Sequence, residues 1–243
     1  LFFKMFCTEL KKHFRVDSVD SFVHRFRREH PGKPCPSTPT VYRYIALRNA
    51  DLPVKLRRRV KSWRNAHQRM NKKVLGTSIE ERPEIVDKRT TVGDWEGNLI
   101  KGKRTVNEPA LMTLTDRSSR YEIIVKIPNY HADTCRDALQ TIINAYVLEK
   151  FHSVTFDNGS EFALLDQVAG TQVYFAHPYA PWERGSNENQ NGLIREFIPK
   201  GMSMRVFDES YITNVQYVLN HRLRKSLGYL SASEVFELLS PSN

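Results

Sequence analysis

Cysteine is scarce in this chain. Cys7, Cys35 and Cys135 are scattered over 243 residues with no C-x-x-C pair. That excludes a disulfide framework and points to a reducing cytoplasm. Histidines such as His131, His152, His177 and His221 show no metal-ligand spacing, and the lack of a paired His-His and Cys-Cys set argues against an amino-terminal zinc domain of the retroviral type. No apolar run is long enough to span a bilayer and no secretory leader is visible, so no membrane partner is expected. A starting Met is also missing: the chain begins Leu1-Phe2-Phe3 and reads as a fragment or a trimmed form. Acid is absent from Lys55 to Lys73, where KLRRRVKSWRNAHQRMNKK holds nine Lys or Arg.

What is present is positive charge and aromatic mass. A net charge of +10 with 13 Phe and 40% hydrophobic residues describes a folded protein with a polyanionic partner. The length accommodates a core of about 150 residues and a smaller second unit. Three zones emerge. Residues 1–50 read as helical, with Phe3, Phe6, Leu10 and Phe14, then Val19, Phe22, Val23 and Phe26, at helical spacing. After the turn His30–Pro34, Thr38 suits an N-cap and Pro39 the first helical position. Val41, Tyr44, Ile45 and Ala46 would face a core; Thr40, Tyr42 and Arg43 would face out. Residues 51–90 read as a basic linker. From Val92 the period changes to strands at 95–100, 110–114 and 121–127, a helix over 132–150, strands at 153–156 and 173–176, and helices from about Ser186 and Tyr211. That order predicts an α/β domain over residues 91–243.

In GDWEGNLIKG, residues 93–102, Asp94, Glu96 and Asn98 share one strand face. Asp157 ends a short buried strand and is followed by Asn158-Gly159. That is a common place for a functional residue in an α/β sheet, and equally good turn chemistry. Glu188 falls in the first turn of a helix capped by Ser186, where it would bind a cation or merely complement the helix dipole. Asn191 and Arg195 follow on the same face, suited to phosphate and base contacts or to solvent. Three carboxylates from a strand centre, a strand end and a helix would hold two divalent ions for phosphoryl transfer.

Four stretches together resemble the bacterial insertion-sequence-thirty transposase family: Trp95–Asn98, Leu114–Arg120, Asp157–Phe162 and Pro178–Asn189. The likeness continues through Asn191–Arg195 and Phe197–Gly201 to Leu219–Arg222 and Arg224–Gly228. It implies an RNase H-like (integrase) catalytic core, an Asp-Asp-Glu triad, two Mg²⁺ (or Mn²⁺) ions and a nucleoid-associated bacterial protein. The triad maps onto Asn98, Asp157 and Glu188. Asp94 shares the parity of position 98 but lies roughly 13 Å along the strand. Two metals in one site lie about 3.5–4 Å apart, so the two positions cannot exchange roles. Asn98 then reads as an inactivation of the first triad position, by design or, second, by natural decay.

The amino-terminal zone resembles the helix-turn-helix such transposases use on their own inverted repeats. Residues 38–47 would be the recognition helix, with Arg43 on a base or phosphate and Thr38, Thr40 and Tyr42 on backbone. Arg57, Arg58 and Arg59 would track phosphates. The expected activity is cleavage at inverted-repeat ends and joining of the freed 3′-hydroxyl to target DNA, with a homodimer to unite two ends. The rivals are a silent protein that only occupies transposon ends, favoured by Asn98, and an RNase H-type nuclease, disfavoured by the basic linker.

Overall fold

The computed structural model describes residues 1–47, 52, 75–103, 105, 107–146, 150–177 and 185–240, the side chains of 185–188 excepted. Arg57, Arg58 and Arg59, and the Pro-rich loop 178–184, lie outside the described residues.

Three helices open the chain: α1 (Phe2–Leu10), α2 (Val19–Glu29) and α3 (Thr38–Leu47). They close on one apolar cluster of Phe2, Phe6, Leu10, Val19, Phe22, Val23, Phe26, Val41 and Ile45. The helical spacing thus predicts the right faces, with two departures. Ser37, not Thr38, caps α3: its carbonyl accepts from Val41 N and its hydroxyl from Thr40 N. Ala46, expected inside, is exposed. Thr40, Tyr42 and Arg43 do face out, whereas the Thr38 hydroxyl donates to Asp20 at 2.8 Å.

The second unit is built on one sheet. Its strands are β1 (Asp94–Lys101), β2 (Ala110–Asp116), β3 (Glu122–Ile127), β4 (Ser153–Phe156) and β5 (Gln172–Phe175), in the order β3-β2-β1-β4-β5. The first three run antiparallel as a meander; β4 and β5 run parallel to β1. This is the RNase H-like arrangement. A short helix, α4 (Glu84–Lys88), precedes it.

Parity divides the sheet into two faces. Trp95, Met112, Leu114 and Ile123 point to α5 (Ala132–Ala145) and α8 (Ala232–Leu239). Ile100, Leu111 and Ile124 point to α6 (Gly185–Ile194) and α7 (Glu209–His221). Trp95 is fully buried, stacks on Phe151 at 5.0 Å and donates its indole N–H to Lys150 O. A hairpin of β6 (Leu223–Arg224) and β7 (Leu230–Ser231) links α7 to α8.

The helical unit is docked on the core. Phe14 and Val16 join the cluster beneath α6 and α7. Arg25 binds Asp17 at 2.7 Å and the carbonyl of His221 at 2.7 Å, and Arg222 Nε donates to Val16 O.

Candidate active site

The site begins with the start of β1. Asp116 lies at the end of β2 and accepts four hydrogen bonds: from Gly93 N, Ser118 N, Ser119 N and the Ser119 hydroxyl. Burial pushes its carboxyl up, and those bonds pull it back. The Asp-Arg-Ser-Ser turn therefore fixes where β1 enters the sheet. Arg117 reinforces it, binding Glu96 at 3.1 Å and Asp87 at 2.9 Å. Asp94 accepts from the Ser153 hydroxyl at 2.6 Å and is buried. Both acids of β1 are thereby committed to structure, at the end of the strand away from position 98.

Strand register carries position 98 towards Asp157. β1 and β4 pair Asp94 with Ser153, Trp95 with Val154 and Glu96 with Thr155. The same offset carried two residues on sets Asn98 beside Asp157, one interstrand spacing of about 4.8 Å away. Gly97 makes this approach possible. A Cβ there would lie 2.2 Å from Cε1 of Phe156, whose ring crosses the strand immediately before Asp157. Gly97→Ala should displace that ring and lower stability by about 1–3 kcal/mol, read as a shifted urea midpoint; an unchanged midpoint would show that β1 and β4 are less tightly apposed.

Asp157 is half-buried, and its Oδ1 accepts from Gly159 N at 3.1 Å, as the turn reading of Asp-Asn-Gly expects. Asn158 Oδ1 takes Leu75 N at 2.8 Å, pinning the segment that enters the domain. Lys101, at the end of β1, pairs with Glu161 at 2.8 Å and accepts from Arg195 Nη2 at 2.8 Å. One residue thus joins β1, the loop after Asp157 and α6.

Helix α6 brings the third position. Asn98 Nδ2 donates to Asn191 Oδ1 at 2.9 Å. Position 188 lies three residues before Asn191, one turn earlier on the same helix face. Asn191 and Arg195, expected to contact DNA, are half-buried here and bonded within the protein; Arg195 also reaches Ile198 O at 3.4 Å. Among the described residues no group of three His, Cys, Asp or Glu side chains is placed to hold a metal ion. The donor set explains this: position 98 is an amide, and the side chain of 188 lies outside the described residues. Asp157 with the neutral Oδ1 of Asn98 offers hard oxygen donors suited to Mg²⁺, at one charge fewer than an aspartate would give. No described helix is long and apolar enough to cross a membrane.

Sequence reasoning missed Gly97, Lys101 and the structural use of Glu96. The glycine beside an active-site candidate was the one local signal available; the partners of Lys101 and Glu96 are remote in sequence.

No protein-family model matches the chain. It is 40% identical over 242 residues, 98% of its length, to the probable transposase for insertion-like sequence element IS1161 of Streptococcus salivarius, of which it spans 69%. It is 35% identical to the transposase for insertion sequence element IS4351 of Bacteroides fragilis, spanning 72%. It is 34% identical to the transposase InsI for insertion sequence element IS30A of Escherichia coli (strain K12), spanning 55%. A simian T-cell lymphotropic virus intasome in complex with PP2A regulatory subunit B56 gamma contains a chain with a TM-score of 0.47 and 16% identity, matched over 63% of this chain and 56% of that one. On the strength of the sequence relatives, the chain belongs to the IS30 family of insertion-sequence transposases.

Proposed function

We propose that the chain recognises the inverted-repeat ends of its element through α3 and its basic linker, and that its sheet supports cleavage and strand transfer once position 98 is an aspartate. The observation that carries this reading is the register of β1 on β4, with the Asn98–Asn191 bond. Both support a site drawn from a strand centre, a strand end and a helix, at positions 98, 157 and 188. Two Mg²⁺ or Mn²⁺ ions would be held by Asp157, Glu188 and the residue at 98. When bound, such ions activate the attacking oxygen and stabilise the leaving one. The protein's own part is placement. Water opens a phosphodiester at the element's end, and the freed 3′-hydroxyl then displaces a 3′-oxygen in target DNA, so bonds made equal bonds broken. Joining two ends calls for two copies of the chain.

A second reading, a silent occupant of transposon ends, is favoured by Asn98 itself. Both readings share the DNA contact, which is tested first. Binding of the full chain to inverted-repeat duplex should fall steeply with salt. If six or more phosphates are neutralised, the loss is about a thousandfold or more between 50 and 200 mM. Arg43→Ala should cost about 1–3 kcal/mol on end DNA and little on random duplex. Arg58→Ala should weaken all duplexes alike. A flat salt response, or equal affinity for random duplex throughout, would remove the assignment.

A further inference from the structure

Helix α6, GSNENQNGLI, has almost no apolar face with which to seat itself. From 189 to 194 only Gln190 and Ile194 are buried. Gln190, two residues after position 188, is 2% exposed, and its amide is fully engaged. Nε2 donates to Glu122 Oε2 at 3.0 Å and to Arg120 O at 3.2 Å, while Oε1 accepts from Arg224 Nη1 at 2.8 Å.

Each partner is itself held. Glu122 is fully buried on β3 and accepts from the Thr115 hydroxyl at 2.7 Å. Its backbone is bracketed by Asn220 of α7, which takes Glu122 N and gives to Glu122 O, both at 2.8 Å. Arg224 Nη2 is fixed on Leu219 O at 3.0 Å. From the stretches Leu219–Arg222 and Arg224–Gly228, Asn220 and Arg224 build the seat on which Gln190 rests.

We propose that Gln190 is a positioning residue, setting the register and rotation of α6 on the sheet and thereby the placement of position 188 against Asn98 and Asp157. The proposal rests on the reading of 188 as the third carboxylate. The physical reason for an amide is direction. An apolar side chain of equal volume tolerates sliding, whereas three hydrogen bonds from one group weaken steeply once their angles fail. A slip of one residue along a helix moves every side chain by about 1.5 Å and 100°. A misplacement of about 1 Å at a reacting centre lowers rate by about a hundredfold.

The test uses Gln190→Met, which keeps volume and removes the bonds, and Gln190→Glu alone and with Glu122→Gln. In the full chain as it stands, amide hydrogen exchange over residues 189–195 should quicken at least tenfold in Gln190→Met, with the amides of β1 to β3 unchanged. In the Asn98→Asp form, Gln190→Met should lower the maximal rate of strand transfer about a hundredfold with the half-saturating end-DNA concentration unchanged. At pH 9, where the Glu122 carboxyl is ionised and can only accept, Gln190→Glu should do the same, and the pair with Glu122→Gln should recover most of the rate by restoring donor and acceptor across the contact. Unchanged exchange in α6 overturns the proposal, as does quickened exchange with undiminished strand transfer. Failure of the Asn98→Asp parent to join DNA counts against the triad reading instead, and the exchange of α6 then decides the proposal.

Discussion

Replacing Asn98 by aspartate should raise Mg²⁺-dependent strand transfer by on the order of a thousandfold. Asn98 donates its Nδ2 to Asn191, leaving one neutral oxygen for a cation. Charge stabilisation at a metal-assisted phosphoryl transfer is worth several kcal/mol, and each 1.36 kcal/mol is tenfold in rate. The structural cost of the change is small. An aspartate keeps the shape of asparagine, and the Asn191 amide needs only to rotate so that its NH₂ donates to the new carboxylate. Affinity for end DNA should stay within about twofold, because α3 and β1 pack into separate apolar clusters. Asp94→Asn, made in both backgrounds, separates the two acids of the strand. Asp94 is buried against Ser153, so its loss should lower stability without abolishing joining by the Asn98→Asp form. Joining by the unaltered chain that disappears on Asp94→Asn would place the first carboxylate at 94.

The second large effect is on stability. Burial pushes the Glu122 carboxyl from its ordinary 4.5 up to about 8, against the opposing pull of Thr115, Arg224 and Gln190. The folded state therefore holds a proton that the unfolded chain releases near pH 4.5. This contribution is complete below pH 4.5 and is lost as pH rises towards 8, at about 1.4 kcal/mol per pH unit. Glu122→Gln is neutral at every pH and keeps an oxygen for Thr115 and Gln190. Urea unfolding of the two proteins should give similar stabilities near pH 5 and a gap of a few kcal/mol favouring the glutamine form at pH 8. Asp17 and Asp116 are also raised by burial, but both remain in the variant and cancel in the difference. Parallel stability curves would show that Glu122 is ionised in the folded protein.

The strands were the most legible part of the sequence. The alternation in 94–101 and 110–116 puts apolar side chains on both faces of a covered sheet, and 153–156 matches β4 residue for residue. Parity put Asp94, Glu96 and Asn98 on one face, but parity alone cannot say which of them meets the catalytic strand end. That depends on the offset between β1 and β4, a long-range property set by the Asp116 turn and the bare backbone of Gly97. Helix α6 was legible, but it begins at Gly185, so Ser186 lies inside it and is not its cap; its seat was not legible, since Gln190 and Glu122 are 68 residues apart. Helix α8 carried a readable sign in the Ser231–Glu234 capping box ahead of an apolar run. Thr38 looked like a cap because Ser37 and Thr38 are equally good candidates; the backbone chose Ser37 and left Thr38 to bind Asp20.

Positions 98, 157 and 188 are proposed to form one cation site. The direct measurement is Mn²⁺ binding, followed by paramagnetic resonance on the chain as it stands, on Asn98→Asp, and on Asn98→Asp combined with Asp157→Asn or with Glu188→Gln. Weak binding is expected from the unaltered chain, two bound ions from the Asn98→Asp form, and loss of at least one ion in each double variant. Equal Mn²⁺ binding by all four proteins would contradict the proposal.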